Sequence, residues 1–150
     1  MKTIKLPQLQ LLGLKYINKV ETDTAITIRS SEDVINVLRN VYDSEFISEE
    51  AYAILMTRNN KIIGIVHMGT GCATSTVMDH QKLFAIALLS RAQNIIISHS
   101  HPSGNLKPSQ PDINITKKIK DCCAFHSMEL LDHIILTPTS YTSFADEMIL

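Results

Sequence analysis

The residues with the most chemistry to offer in this 150-residue chain stand together in the stretch HSHPSGNLKPSQPD. His99 and His101 are separated by one residue where the β-branched run NIIIS (94–98) ends, and residues two apart on an extended chain project to the same side. Two imidazoles therefore converge. Asp112 lies eleven residues after His101, and Pro102, Gly104, Pro108 and Pro111 shape a loop tight enough to return its carboxylate to the pair. Two neutral imidazoles and one carboxylate are good ligands for Zn2+, and a fourth position left to water marks a catalytic site. A local reading competes for Asp112. Ser109 and Asp112 also form the S-x-x-D pattern of a helix capping box, with Asp112 at the third helical position. Both readings can hold, since a carboxylate in the first turn can bind metal while the serine caps the helix.

The elements that must position these groups follow from periodicity. Residues 25–28 form a short strand candidate. Ser30 and Asp33 make a capping-box pattern ahead of Val34, Ile35, Val37, Leu38 and Val41, which recur at helical spacing, so a helix is expected to run to about Tyr42. AYAILMT and IIGIVHM, joined by the polar stretch RNNK, read as a hairpin that GTG (69–71) ends. TSTVM is a candidate third strand, and Asp79 can cap a helix carrying Leu83, Phe84, Ala87 and Leu88 to about Ala92. NIIIS is then a buried central strand, the segment around Ile113, Ile115, Ile119, Cys122 and Cys123 a further amphipathic helix, and MELLDHIILT a last strand. The order predicts an α/β fold, a mixed β-sheet flanked by helices, with residues 1–29 as an extension and 30–150 as the domain.

Composition bounds the partners. With 45% hydrophobic and 19% charged residues the chain is globular, and no apolar run reaches the ~18 residues of a membrane span, so no membrane partner is expected. The formal charge of −1 provides no field toward phosphate backbones. Lys117, Lys118 and Lys120, the only basic cluster, fit a solvated helix face. The N-terminal leucines are interrupted by Gln8, Gln10 and Lys15 with no small-residue cleavage site, and the three cysteines, Cys72, Cys122 and Cys123, include an adjacent pair. Both features point to a reducing, cytoplasmic setting.

HSHP, six residues, Ser109, two residues and Asp112 together resemble the JAMM signature of the MPN-plus metalloproteases. The segments RNNKIIGIV, GTG, ALLSRAQNIIISHSHPSGNLKPS, LLDHIIL and YTSFADE narrow the likeness to the RadC-like branch over about residues 30–150. That resemblance implies a single MPN/JAB-like domain of cytidine-deaminase-like architecture and a zinc-dependent hydrolase of peptide or isopeptide bonds. It implies that Ser109 supports the oxyanion or the attacking water, the alternative being a plain N-cap. It also implies a glutamate general base ahead of the first core strand, where Glu50 in SEEAYAILM has the fitting spacing and Glu49 is its neighbour on the other face. Longer RadC proteins carry a helix-hairpin-helix region, for which residues 1–29 are too short. The segment VHMGTG lacks the carboxylate found there in many relatives, which keeps open a second reading, a non-catalytic interaction module. Nucleic acid enters only by family association, through the DNA-repair connotation of RadC, and a homodimer stays open. Asp132 and His133 are candidate hydrogen-bond partners behind the metal histidines. His67 reads as a strand residue, Ser100 as a residue pointing away from the site, and Cys122 and Cys123, without CxxC spacing, as core.

Overall fold

Ser30 heads the first helix with both halves of its capping box formed: its hydroxyl accepts from the Asp33 amide, and the Asp33 carboxylate accepts from the Ser30 amide. In the computed structural model, which describes residues 26–43, 45–71 and 78–150, this helix is α1 (Ser31–Leu38). It is followed by β1 (Glu49–Met56), β2 (Ile62–Gly71), α2 (His80–Leu89), β3 (Asn94–Ser100), α3 (Gln110–Phe125), β4 (Glu129–Leu136) and β5 (Tyr141–Ser143). Helix α1 ends earlier than its apolar spacing suggests. The Asn40 and Val41 amides bond three residues back, to Val37 and Leu38, so the chain tightens into turns before Tyr42. Likewise α2 closes at Leu89, because Arg91 takes a positive φ of 56°. TSTVM, apart from Met78, lies outside the described residues, as does all but the end of the 1–29 extension. From that extension, Thr27 makes an antiparallel bridge to Lys61.

The fold is mixed α/β. Its sheet has five strands in the order β2-β1-β3-β4-β5. β1 runs antiparallel to β2 and β3, β3 is parallel to β4, and β5 returns antiparallel to β4. Parallel neighbours need a crossover, and α3 supplies it. Both faces are covered. Val34, Ile35, Val37 and Leu38 of α1 pack on Ile54, Met56, Ile96, Ile134 and Leu136. Leu83, Phe84 and Ala87 of α2, with Ile119 and Cys123 of α3, pack on Ala51, Ala53, Leu55, Ile95 and Ile97. Covering both faces explains why β1 and β3 read as continuous apolar runs without alternation.

One irregularity matters for the site. Ile95 pairs with Leu130 but Ile96 pairs with Asp132, so Leu131 is an extra residue in β4. Beyond it, Ile97 stands beside His133. Among the described residues no helix is long and apolar enough to cross a membrane.

Candidate metal centre

Alternation along β3 carries Ile95, Ile97 and then His99 onto the face covered by α2 and α3. His99 is the last β3 residue paired with β1, opposite Ala51. The chain continues along β4 for one more bond, His101 N–H to the Leu136 carbonyl at 2.8 Å, which keeps His101 on the His99 side. It then turns sharply: Gly104 adopts φ +78°, a conformation open to glycine, and its amide bonds the His101 carbonyl at 3.0 Å. His101 Nδ1 lies 2.6 Å from the Asn105 carbonyl oxygen. A carbonyl only accepts, so Nδ1 carries the hydrogen and the lone pair of Nε2 faces His99, 2.9 Å from its Nε2.

Asp112 reaches the same point from α3. The buried stripe of this helix is Asp112, Thr116, Ile119 and Cys123, spaced at helical intervals so that its first two turns are polar and its last two apolar. The capping box is complete. Asp112 Oδ2 accepts from the Ser109 amide at 2.7 Å and the Ser109 hydroxyl at 2.6 Å, while Ser109 Oγ accepts from the Asp112 amide at 3.2 Å. The other oxygen, Oδ1, lies 3.2 Å from His99 Nε2. The two readings of Asp112 thus divide between its two oxygens.

One ligand atom each from His99, His101 and Asp112 lies within 4.8 Å of the other two, forming a candidate metal-binding triad. The contact of His99 with Asp112 has the length of an ion pair, but burial pushes the His99 imidazole down to about 4 against the pull of the Asp112 charge, so the ring is neutral at pH 7. A neutral His99 whose Nδ1 is engaged by His133 at 2.8 Å turns Nε2 toward two other electron-rich atoms. Two imidazole nitrogens and a carboxylate oxygen converging on one point are a donor set that fits a divalent metal.

Glu50 is not brought to this cluster. Ala51, Ala53 and Leu55 face the His99 side, whereas Tyr52, Ile54 and Met56 face α1. Glu50 shares the latter face. Its carboxylate is 4.0 Å from His67 Nε2, and burial, with the nearby Glu50 charge second, raises the Tyr52 hydroxyl above its ordinary range. The structure thus places Glu50 on the α1 face, away from the triad. By strand alternation Glu49 falls on the His99 face, beyond Ala51, the last β1 residue paired with β3.

Ser100 brackets Glu49 from the opposite face. Its hydroxyl accepts from the Glu50 amide at 2.9 Å and donates to the Ser48 carbonyl at 3.3 Å, replacing ladder bonds where the β1–β3 pairing ends. Ser109 acts as an N-cap whose one hydroxyl hydrogen is committed to Asp112, so support of an oxyanion would require breaking that bond. His67 is a strand residue near Thr70, at 3.2 Å.

Behind the histidines the structure selects His133 and not Asp132. Asp132 sits on the other side of β4, where its carboxylate accepts from the Ser143 hydroxyl at 2.6 Å and the Ala145 amide at 3.0 Å, tying β4 to the C-terminal turn. Thr116, in contact with both Asp112 and His133, was not anticipated from sequence. Its signal is a position four residues after Asp112 on one helix face.

The fold and this constellation define a JAB-type domain, and comparison with known proteins agrees. Residues 28–149 match the RadC-like JAB domain, and the chain belongs to that family. It is 37% identical over 120 residues to a UPF0758 protein of Flavobacterium johnsoniae, covering 80% of this chain and 52% of that protein. To a UPF0758 protein of Clostridium acetobutylicum it is 32% identical over 148 residues, 97% of this chain and 64% of that one. To a UPF0758 protein of Clostridioides difficile it is 33% identical over 117 residues, 77% and 50%. The chain thus spans between half and two thirds of the length of these relatives.

Proposed function

We propose that the chain is a zinc-dependent hydrolase of peptide or isopeptide bonds. The observation that carries this reading is the convergence of His99 Nε2, His101 Nε2 and Asp112 Oδ1 on one point. His99, His101 and Asp112 would hold the ion, and Ser109 holds Asp112 in place through two bonds to Oδ2. Zinc in such a site supplies Lewis acidity, polarising a carbonyl and lowering the pKa of water toward ~7. In this reading Glu49 takes a proton from the attacking water and delivers it to the leaving amine. Ser100 fixes the backbone on both sides of Glu49 through its bonds to the Glu50 amide and the Ser48 carbonyl. The free thiols of Cys122 and Cys123 support a cytoplasmic setting.

The test combines metal analysis with hydrolysis of a panel of peptide- and isopeptide-linked substrates. Glu49→Gln should retain zinc and lose activity by roughly 10²–10⁴-fold, the usual contribution of a general base, while Glu50→Gln keeps it. His99→Ala and Asp112→Ala should lose zinc. Wild-type protein holding as little zinc as these two variants would end the metal reading, and full activity in Glu49→Gln would end the assignment of the base.

A further inference from the structure

We infer that Thr116 and His133 form a hydrogen-bond relay that fixes His99 in the one tautomer able to bind a metal, which makes both of them positioning residues of the candidate centre. The direction of every bond follows from its starting point. The Asp112 backbone carbonyl can only accept, and Thr116 Oγ1, 2.6 Å away, donates to it. That commits the hydroxyl's single hydrogen. The 2.5 Å contact between Thr116 Oγ1 and His133 Nδ1 therefore carries the hydrogen on Nδ1. A neutral His133 is then bare at Nε2, which accepts from His99 Nδ1 at 2.8 Å. With its hydrogen on Nδ1, His99 presents an unprotonated Nε2 to His101 and Asp112.

The surroundings of His133 hold it neutral. The ring is 1% exposed, stacks on Phe144 at 4.5 Å, stands beside Ile97 and meets Thr116 and His99. The nearest carboxylate along the chain, Asp132, is engaged on the far side of the strand. Reversing the relay would place a hydrogen on His99 Nε2, where Asp112 Oδ1 at 3.2 Å would accept it and close the site to a cation. The relay thus blocks the self-satisfied arrangement that the carboxylate would otherwise favour. Asp112 has a part at both ends, as the source of Oδ1 and as the carbonyl on which the relay is anchored.

This inference rests on the metal-centre reading of His99, but its first readout needs no metal. Long-range ¹H–¹⁵N spectra of the metal-free 150-residue chain should show His99 protonated at Nδ1. Thr116→Val should move the hydrogen to Nε2 and weaken zinc affinity, measured by chelator competition, by roughly 10–100-fold, as loss of an outer partner of a metal histidine does. Thr116→Ser should restore both. Wild-type His99 protonated at Nε2, or Thr116→Val with tautomer and zinc affinity unchanged, overturns the relay. Wild-type His99 protonated at Nδ1 with no zinc uptake upholds the relay and removes the metal reading instead.

Discussion

Replacing Asp112 with asparagine separates the two tasks that its carboxylate performs. Oδ2 caps α3 and Oδ1 faces His99 Nε2 at 3.2 Å. An asparagine can keep its oxygen at the cap, still accepting from the Ser109 amide and hydroxyl, and turn its amide nitrogen toward His99. There the amide donates to the lone pair that the carboxylate opposed. The lost charge at the helix N-terminus costs about 0.3–1 kcal/mol, and the new bond returns about 0.5–1.5 kcal/mol. Metal-free Asp112→Asn should therefore be as stable as wild type to within about 1 kcal/mol. Asp112→Ala, which loses cap and bond together, should fall by roughly 1–2 kcal/mol. Zinc response should be the reverse of this mildness. At a hundredfold excess over Kd, zinc stabilises wild type by about 2.7 kcal/mol, or roughly 5–11 °C in Tm at this chain length, and both variants should lose that increment. Urea unfolding with chelator and thermal unfolding with and without zinc provide the numbers. A zinc-dependent Tm rise retained in Asp112→Asn refutes Asp112 as a ligand, and equal destabilisation of the two variants without metal refutes the division between its oxygens.

Two further outcomes concern stability. The buried rings of His99 and His133 stay neutral when folded, His99 down to about 4, whereas in the unfolded chain both take up protons below about 6.5. The unfolded state then binds more protons, so stability without metal is full above about pH 6.5 and declines as pH falls from there toward 4. His99 alone accounts for on the order of 3 kcal/mol of that decline. Urea midpoints that do not change between about pH 7 and about pH 5 would speak against neutral burial. Ile119, fully buried on the stripe of α3, should cost roughly 2–5 kcal/mol as Ile119→Ala. The urea midpoint should drop while zinc stoichiometry holds, and loss of zinc would show that α3 does not seat Asp112 independently of its core half.

The triad was legible because its signals are local. HSHP ends a strand, prolines and a glycine shape the return, and the S-x-x-D spacing sets Asp112 in a first helical turn. The choice between Glu49 and Glu50 was not, for a physical reason. In a central strand covered on both faces, Ala51 and Tyr52, Ala53 and Ile54, Leu55 and Met56 are all apolar, so the sequence holds no alternation by which to phase two adjacent glutamates. Pairing of Ala51 with His99 sets which face each of them takes. His133 and Asp132 were likewise adjacent candidates, and the face each takes depends on the extra residue in β4, which no local pattern marks. β5, three residues long, is too short for periodicity to show.

That extra residue, Leu131, also sets the charge of the centre. Regular pairing onward from Leu130 would bring Asp132 level with Ile97 and onto the His99 face, with His133 turned toward α1. A carboxylate would then back His99. A dication in the triad would be countered by two negative charges, one of them strengthening the imidazole as a donor, and would draw less electron density from a substrate. With the bulge in place the backing group is an uncharged imidazole, Asp112 is the one anion in the triad, and a dication bound as proposed would keep a net positive charge.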